Sequence, residues 1–348
     1  MSIALNNTIK LPFAVMQCPM LGVTTPAMVA AVCNCGGIGS LPLGGTTAEQ
    51  ANQLIIETKR LTDKPFIVNL FLHPLVELQE DNYIETQKKV QKLTQSIGFD
   101  YEIQNQLSQV SYKELLPVLF EHQIELVAFT FGCFTIEEIN LLHQNKCTLI
   151  GTATTIPEVK YLAKQGIDII LLQGIEAGGH RGSFLEDGYT NQLPLKELFH
   201  AAKALKLDVP YLVAGGLKDG ADGKMYLSEG ALLVGYGSIY LASDESAAPS
   251  FQKDILAQGI AVDTVFTKAF SGKWARGIKN DFMQKYEALE RNIPPFPIQN
   301  LFTGKMRSFA KENNLPDYYS MWSGVNGHYA RKKETKEIFN QLIHEIYE

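Results

Sequence analysis

Eight short apolar runs, separated by helix-like segments, leave this chain few folds to adopt. They are Ala14–Met20, Ile38–Leu43, Phe66–Leu72, Leu126–Gly132, Thr148–Ala153, Asp168–Gln173, Tyr211–Leu217 and Ala231–Leu241. Each is rich in Val, Ile, Leu or Phe, as expected of strands buried on both faces. Such strands belong to a parallel sheet covered by helices, and most intervening segments are long enough for one helix. Eight units of this kind predict an α/β fold, a (β/α)8 TIM barrel. An open doubly wound sheet would place a glycine fingerprint directly after its first strand. Here Gly36-Gly37-Ile38-Gly39 follows a helix-like run, Pro26 to Cys35, and leads into a strand. That order predicts a helix C-terminal cap and a tight turn, not a phosphate loop.

At 348 residues the chain exceeds a minimal barrel. Residues 1–247 are expected to form the barrel, with a helical insertion at about 73–125 carrying helices near Tyr83–Gln95 and Tyr112–Gln123. Residues 248–325 are expected to build a smaller helical cap and substrate domain over the barrel's C-terminal mouth, joined there by the insertion. Residues 326–348 would return to the barrel as a final helix, Lys333 to Tyr347.

Charge and cysteine usage exclude several classes of function. A net charge of -6 argues against a nucleic-acid surface, and Arg331-Lys332-Lys333 reads as the solvated face of the terminal helix. No apolar run approaches the roughly 20 residues of a membrane span, and the N-terminus lacks a signal layout, so a cytoplasmic protein is expected. Cys18, Cys33, Cys35, Cys133 and Cys147 are scattered without zinc-like spacing. They read as reduced thiols, and no metal is expected.

In such a barrel the chemistry sits at the C-terminal strand ends. The most distinctive tip is Gln173-Gly174-Ile175-Glu176-Ala177-Gly178-Gly179-His180-Arg181-Gly182, after the sixth strand. It sets Gln, Glu and His on a backbone rich in glycine, suited to folding over a polar ligand. The tips of the last two strands carry Gly215-Gly216 and Gly235-Tyr236-Gly237-Ser238. Loops at that place often hold phosphate through backbone N–H groups, and Ser238 adds a hydroxyl. Asp219 and Asp222 are expected to cap the following helix. Asn69 and Gln173 could then present amides to a heterocycle such as a flavin ring, or could satisfy backbone groups instead. His180 is the candidate base, with Glu176 orienting its loop through backbone amides. On these residues alone, a flavin and another phosphate-bearing ligand remain open.

The segment Gln173-Gly174-x-Glu176-Ala177-Gly178-Gly179-His180-Arg181-Gly182 resembles the signature of nitronate monooxygenases, formerly called 2-nitropropane dioxygenases. The run from Thr24-Thr25-Pro26 to Gly36-Gly37-Ile38-Gly39 is similar to that family's N-terminal motif. Ala269-Phe270-Ser271-Gly272-Lys273-x-Ala275-Arg276-Gly277-Ile278-x-Asn280, Pro297-Ile298-Gln299-Asn300 and Met321-Trp322-Ser323-Gly324 resemble its C-terminal region. The resemblance implies an FMN-dependent barrel that oxidises alkyl nitronates, such as propionate 3-nitronate, with O2 to a carbonyl compound and nitrite. It implies FMN contacts at Asn69, Gln173, Gly178, Gly216 and the Gly235–Ser238 loop, and matches His180 to the active-site histidine. Where the family commonly has Gln-x-Gly-Thr, this chain has Gly235-Tyr236-Gly237-Ser238, which keeps a hydroxyl but loses the Gln side chain. An FMN- and NAD(P)H-dependent enoyl-thioester reductase, with a similar Glu-Ala-Gly-Gly-His segment, is the alternative enzyme. A flavin-binding protein without turnover is a third reading, and oligomeric state is left open.

Overall fold

A computed structural model describes residues 3–76, 83–104 and 107–348. Eight strands close into a parallel barrel: β1 (Val15–Gln17), β2 (Ile38–Pro42), β3 (Ile67–Phe71), β4 (Leu126–Thr130), β5 (Thr148–Ala153), β6 (Ile169–Gln173), β7 (Tyr211–Ala214) and β8 (Leu233–Tyr236). Each pairs with its successor, and β8 closes on β1 with Val234 opposite Val15. The (β/α)8 expectation is therefore met.

Two apolar layers explain why the strands read as continuous hydrophobic runs. Met16, Ile38, Ile67, Leu126, Ile150, Ile169, Leu171, Leu212 and Leu233 fill the barrel interior. Alternate residues, including Val15, Val68, Val127, Leu149, Ile170, Leu172, Val213 and Val234, pack outward against the helices. A hairpin, Ile3–Ala4 with Lys10–Leu11, brings Leu5, Ile9 and Leu11 against the interior cluster. The first and last strands are shorter than the apolar runs suggested. Beyond Gln17 and Tyr236 the chain leaves the ladder to form mouth loops, with the Cys18 amide still donating to the Tyr236 carbonyl at 2.8 Å.

Helix starts follow local capping chemistry. The Thr25 hydroxyl accepts from the Met28 amide to open Pro26–Asn34, and Thr47 with Gln50 forms a capping box before Ala48–Leu61. The expected helix near Tyr112–Gln123 divides into a tight turn, Tyr112–Glu114, and a helix, Leu116–Glu121. Pro117, which has no amide hydrogen to donate, is tolerated only in the first turn of the new helix. Residues 77–82 and 105–106 of the expected insertion lie outside the described residues.

Helix Thr335–Tyr347 buries Ile338, Phe339, Leu342 and Ile346 in the cluster that surrounds the barrel. It fits closely because its neighbours are glycines. A Cβ on Gly37 would strike the Phe339 ring, and one on Gly223 would meet Ile346. Arg331-Lys332-Lys333 lies in the turn before this helix and not on its face, because the helix begins only at Thr335. Lys332 pairs with Asp254 there.

Above the mouth, helices Ile84–Thr94, Asp281–Leu289 and Ile298–Glu312 share a core that includes Val90, Phe270, Phe282, Tyr286 and Met306. Segments from after β3 and after β8 thus pack together. An antiparallel sheet joins this layer to the loop after β6, with strand Ala275–Ile278 pairing Thr264–Thr267 on one side and Gly179–His180 on the other. No helix among the described residues is long and apolar enough to cross a membrane, and no cluster of metal-ligating side chains is present among them. All five cysteines are free.

Candidate active site

Side-chain parity along the strands builds the site. Asn69 lies two residues beyond inward Ile67, and Gln173 two beyond inward Leu171, so both amides point into the barrel mouth. Ser40, Thr130 and Thr152 follow from the same alternation. These residues line a cavity of about 310 Å³, with Gly178, His180, Gly215, Gly216, Gly235, Gly237 and Ser238. Eight of the nine predicted cofactor-contact residues and the candidate base therefore meet in one place. Tyr236 is the exception and is corrected here. It shares parity with outward Val234, its ring is fully buried in the outer layer, and its hydroxyl donates to the Asp219 carbonyl at 2.8 Å.

The β7 and β8 tips form a cradle of backbone. Gly215 and Gly216 take φ of 102° and 86°, a left-handed conformation that side chains disfavour. Among the described residues, the amides of Gly216, Gly237 and Ser238 donate to no other group of the chain. Asn326 reaches over to donate to the Gly216 carbonyl at 2.6 Å. The Gly324 amide donates to Ser238 Oγ at 2.9 Å, leaving that hydroxyl's own proton free. Gly178 must be glycine where it stands, since a Cβ would overlap the Gly324 amide nitrogen and the Ser323 carbonyl carbon. Asp219 caps helix Gly220–Ser228 as expected, whereas Asp222 accepts from the Lys218 amide and ammonium.

Gln173 holds the site's own loop. Its Nε2 donates to the His180 carbonyl at 3.1 Å, and its Oε1 accepts from the Gly182 amide at 2.8 Å. Beneath that loop lies Arg181, fully buried, with Nη1 donating to the Gly174 carbonyl at 2.6 Å and Nη2 to that of Gln173 at 3.3 Å. Burial lowers its pKa to about 10 despite the nearby Glu158 and Glu176 carboxylates, so it stays charged at neutrality. Glu176 acts differently from expectation. Its carboxylate accepts from the Leu195 amide at the start of the next helix, where unpaired N–H groups favour an anion, and not from amides of its own loop.

His180 is half-buried and opens on the cavity, but rings crowd it: Trp322 at 5.5 Å, Phe131 at 5.7 Å, Phe296 at 5.8 Å and Phe71 at 6.3 Å between centroids. Desolvation by these neighbours, then repulsion from Lys273 and Arg307, lowers its pKa from 6.5 to about 3. Its Nε2 lies 2.8 Å from Ser271 Oγ. That hydroxyl has one proton, and it donates to the Lys273 carbonyl at 3.1 Å. The pattern assigns the hydrogen between His180 and Ser271 to His180 Nε2, which leaves Nδ1 as a bare acceptor. The imidazole is thus neutral and oriented, with one nitrogen lone pair left open.

A pH dependence of stability follows. The unfolded chain binds a proton on His180 below about pH 6.5, while the folded chain does not until about pH 3. The unfolded state therefore holds more protons in that window, and stability falls as pH is lowered through it. Urea unfolding at pH 7 and pH 5 should show a smaller acid loss in His180→Asn than in the parent. An identical loss would contradict the assignment.

Sequence reasoning gave no role to Ser271, Trp322, Arg276, Arg307, Glu158 or Ser40. Ser40 was accessible from parity with inward Ile38. Ser271, Trp322 and Arg276 lay in quoted motifs but join the site only through the cap sheet. Buried Glu158 accepts from the Thr154 amide four residues back and from the Phe184 and Leu185 amides, and the latter two are long-range pairings without local signal.

Residues 3–345 match the family model described as nitronate monooxygenase. The chain is 30% identical over 343 residues to a "Probable nitronate monooxygenase" of Staphylococcus haemolyticus, covering 98% of this chain and 96% of that one. A protein of the same description from Staphylococcus aureus is 32% identical over 345 residues, with the same coverage. Among solved structures, nitroalkane oxidase from Streptomyces ansochromogenes superposes with a TM-score of 0.87 at 29% identity, covering 97% of this chain and 96% of its own. FabK from Thermotoga maritima shares the fold, with a TM-score of 0.73 at 22% identity, covering 97% of this chain and 93% of its own. The chain belongs to the nitronate monooxygenase family of flavin-dependent oxidoreductases.

Proposed function

We propose that the protein binds FMN in the barrel mouth and oxidises small alkyl nitronates with O2, giving a carbonyl compound and nitrite. The observation that carries this reading is a neutral His180 with a bare Nδ1, opening on the same cavity as a cradle of unused backbone donors. The donor set suits the cofactor. The Gly216, Gly237 and Ser238 amides and the Ser238 hydroxyl match a single phosphate. Asn69 and the spare capacity of Gln173 suit the edge of a planar heterocycle. Ser40 Oγ, buried and without a partner, offers one more hydroxyl at the cavity wall.

The flavin, when bound, supplies electron-acceptor chemistry. The chain's residues then bind, orient and move one proton. A nitronate already carries its charge and needs no base, whereas a neutral nitroalkane must lose its α-proton, which His180 Nδ1 is placed to accept. Ser271 fixes the imidazole's orientation, and the surrounding aromatic rings keep water from the exposed face. The cradle and Gln173 set where the ring system lies relative to that nitrogen.

The test is nitrite release under air from purified, flavin-loaded protein. Nitronates should yield nitrite without NADH. Rapid NADH consumption with an enoyl thioester, and no nitrite from any nitronate, would favour the reductase reading. A yellow protein inert in both assays would be the non-catalytic one.

A further inference from the structure

We propose that Arg307 is the charge partner of the anionic substrate and selects anions over neutral molecules of the same shape, an inference that rests on the nitronate reading. Among the described residues lining the cavity there is no Asp or Glu, and Arg307 is the one side chain carrying a full charge at neutral pH. Its positive charge is held in place but not cancelled. Nε donates to Thr303 Oγ1 at 3.2 Å, and Nη2 to the Asn300 carbonyl and Oδ1 at 2.9 and 2.8 Å. All three acceptors are neutral and sit on the same helix, Ile298–Glu312. Nη1 has no partner among the described residues.

The other cations nearby are already engaged. Lys273 donates to the Ser183 carbonyl at 2.8 Å and lies 4.8 Å from the Phe131 ring centre. Arg276 stacks on Phe266 at 4.1 Å and donates to the Ile175 carbonyl. Neither lines the cavity, so the donors left unused there belong to Arg307. A desolvated cation without a counter-ion is unfavourable, and an entering anion removes that penalty. The two N–H bonds of Nη1 remain to make charge-assisted contacts with a nitronate oxygen.

His180 cannot take this role, because a neutral imidazole with a bare Nδ1 has no charge and no N–H to offer on that side. The phosphate cradle is a separate set of donors on the β7 and β8 tips. Arg307 instead lines the same cavity as His180, so its charge and the bare Nδ1 face one bound molecule.

The experiment compares parent protein, Arg307→Met and Arg307→Lys as flavin-loaded enzymes, with a pre-formed nitronate, its neutral nitroalkane, and inorganic nitrate as a planar anion that does not react. Loss of a charge-assisted contact predicts that Arg307→Met raises the nitronate KM by about 10- to 100-fold while lowering kcat less. Arg307→Lys should recover most of that loss. The neutral nitroalkane's KM should change by less than about twofold. The Kd of nitrate, measured by calorimetry, should rise in parallel with the nitronate KM. If Arg307→Met does not fold, Arg307→Gln, which keeps polar contacts to Asn300, takes its place with the same expectations. A nitronate KM within about twofold of the parent, or equal losses on charged and neutral substrates, overturns the proposal. If the parent releases no nitrite from any nitronate, the functional reading falls. The nitrate titration still decides Arg307: weaker binding in the variant upholds its anion site, and unchanged binding removes it.

Discussion

Replacing His180 with Asn should lower nitrite release from a neutral nitroalkane by about 10²- to 10⁴-fold, the usual contribution of a positioned general base. The loss on the pre-formed nitronate should be far smaller. Asn cannot accept a proton at neutral pH. The nitronate reaches the site with its α-proton already gone, so the missing base matters little to it. Because His180 faces the cavity with a nitrogen that the fold does not use, the variant should still bind flavin and remain yellow. The two substrates, assayed in parallel under air, separate a base from a residue that merely shapes the pocket. Equal losses on both would assign His180 to binding, and no loss on either would remove it from the mechanism. The same assays on Ser271→Ala should show a milder loss of the same selective kind, since the imidazole keeps its basicity but not its orientation.

Much of this site was legible in the sequence because barrels convert one-dimensional periodicity into position. Eight apolar runs gave the fold, and the tips of the third, sixth, seventh and eighth gave Asn69, Gln173, Gly216 and Ser238. Tyr236 was misread because a tip was treated as a unit, when its residues alternate between the mouth and the outer layer. Applying period two through Val234 would have turned its ring outward. The catalytic environment was less legible. Ser271 and Trp322 approach His180 from segments about 90 and 140 residues downstream, through a sheet that takes its third strand from the loop after β6. Strands that short carry almost no periodic signal. Arg307 was hidden for a different reason. On a helix that buries Phe302, Met306 and Ala310, one arginine reads as a solvated residue unless the cavity beneath it is known.

Arg181→Ala should remove about 3–5 kcal/mol of stability, the range for stripping one partner from a buried charge network. In a fold whose total stability is roughly 5–15 kcal/mol, that is enough to unfold much of the protein on modest warming. The guanidinium is fully enclosed and donates to the Gly174 carbonyl, which otherwise accepts only from the Ala177 amide at 3.2 Å among the described residues. Its removal leaves the Gly174 and Gln173 carbonyls without these donors. It also withdraws positive charge from the neighbourhood of Glu158, itself buried and holding the Phe184 and Leu185 amides.

Three replacements distinguish the causes. Arg181→Met fills most of the volume and removes the penalty of burying a charge, so it should recover the cavity part of the loss but not the carbonyl part. Arg181→Lys keeps the charge without the fork and can serve one carbonyl well but not two. The expected order of stability is therefore parent, then Lys and Met, then Ala, read as denaturant midpoints at pH 7. Flavin affinity should fall in the same order, because Gln173 and the loop it clamps are held in place by the same guanidinium. An Ala variant within about 1 kcal/mol of the parent would mean that water enters and satisfies the carbonyls, and that the loop stands without its buried cation.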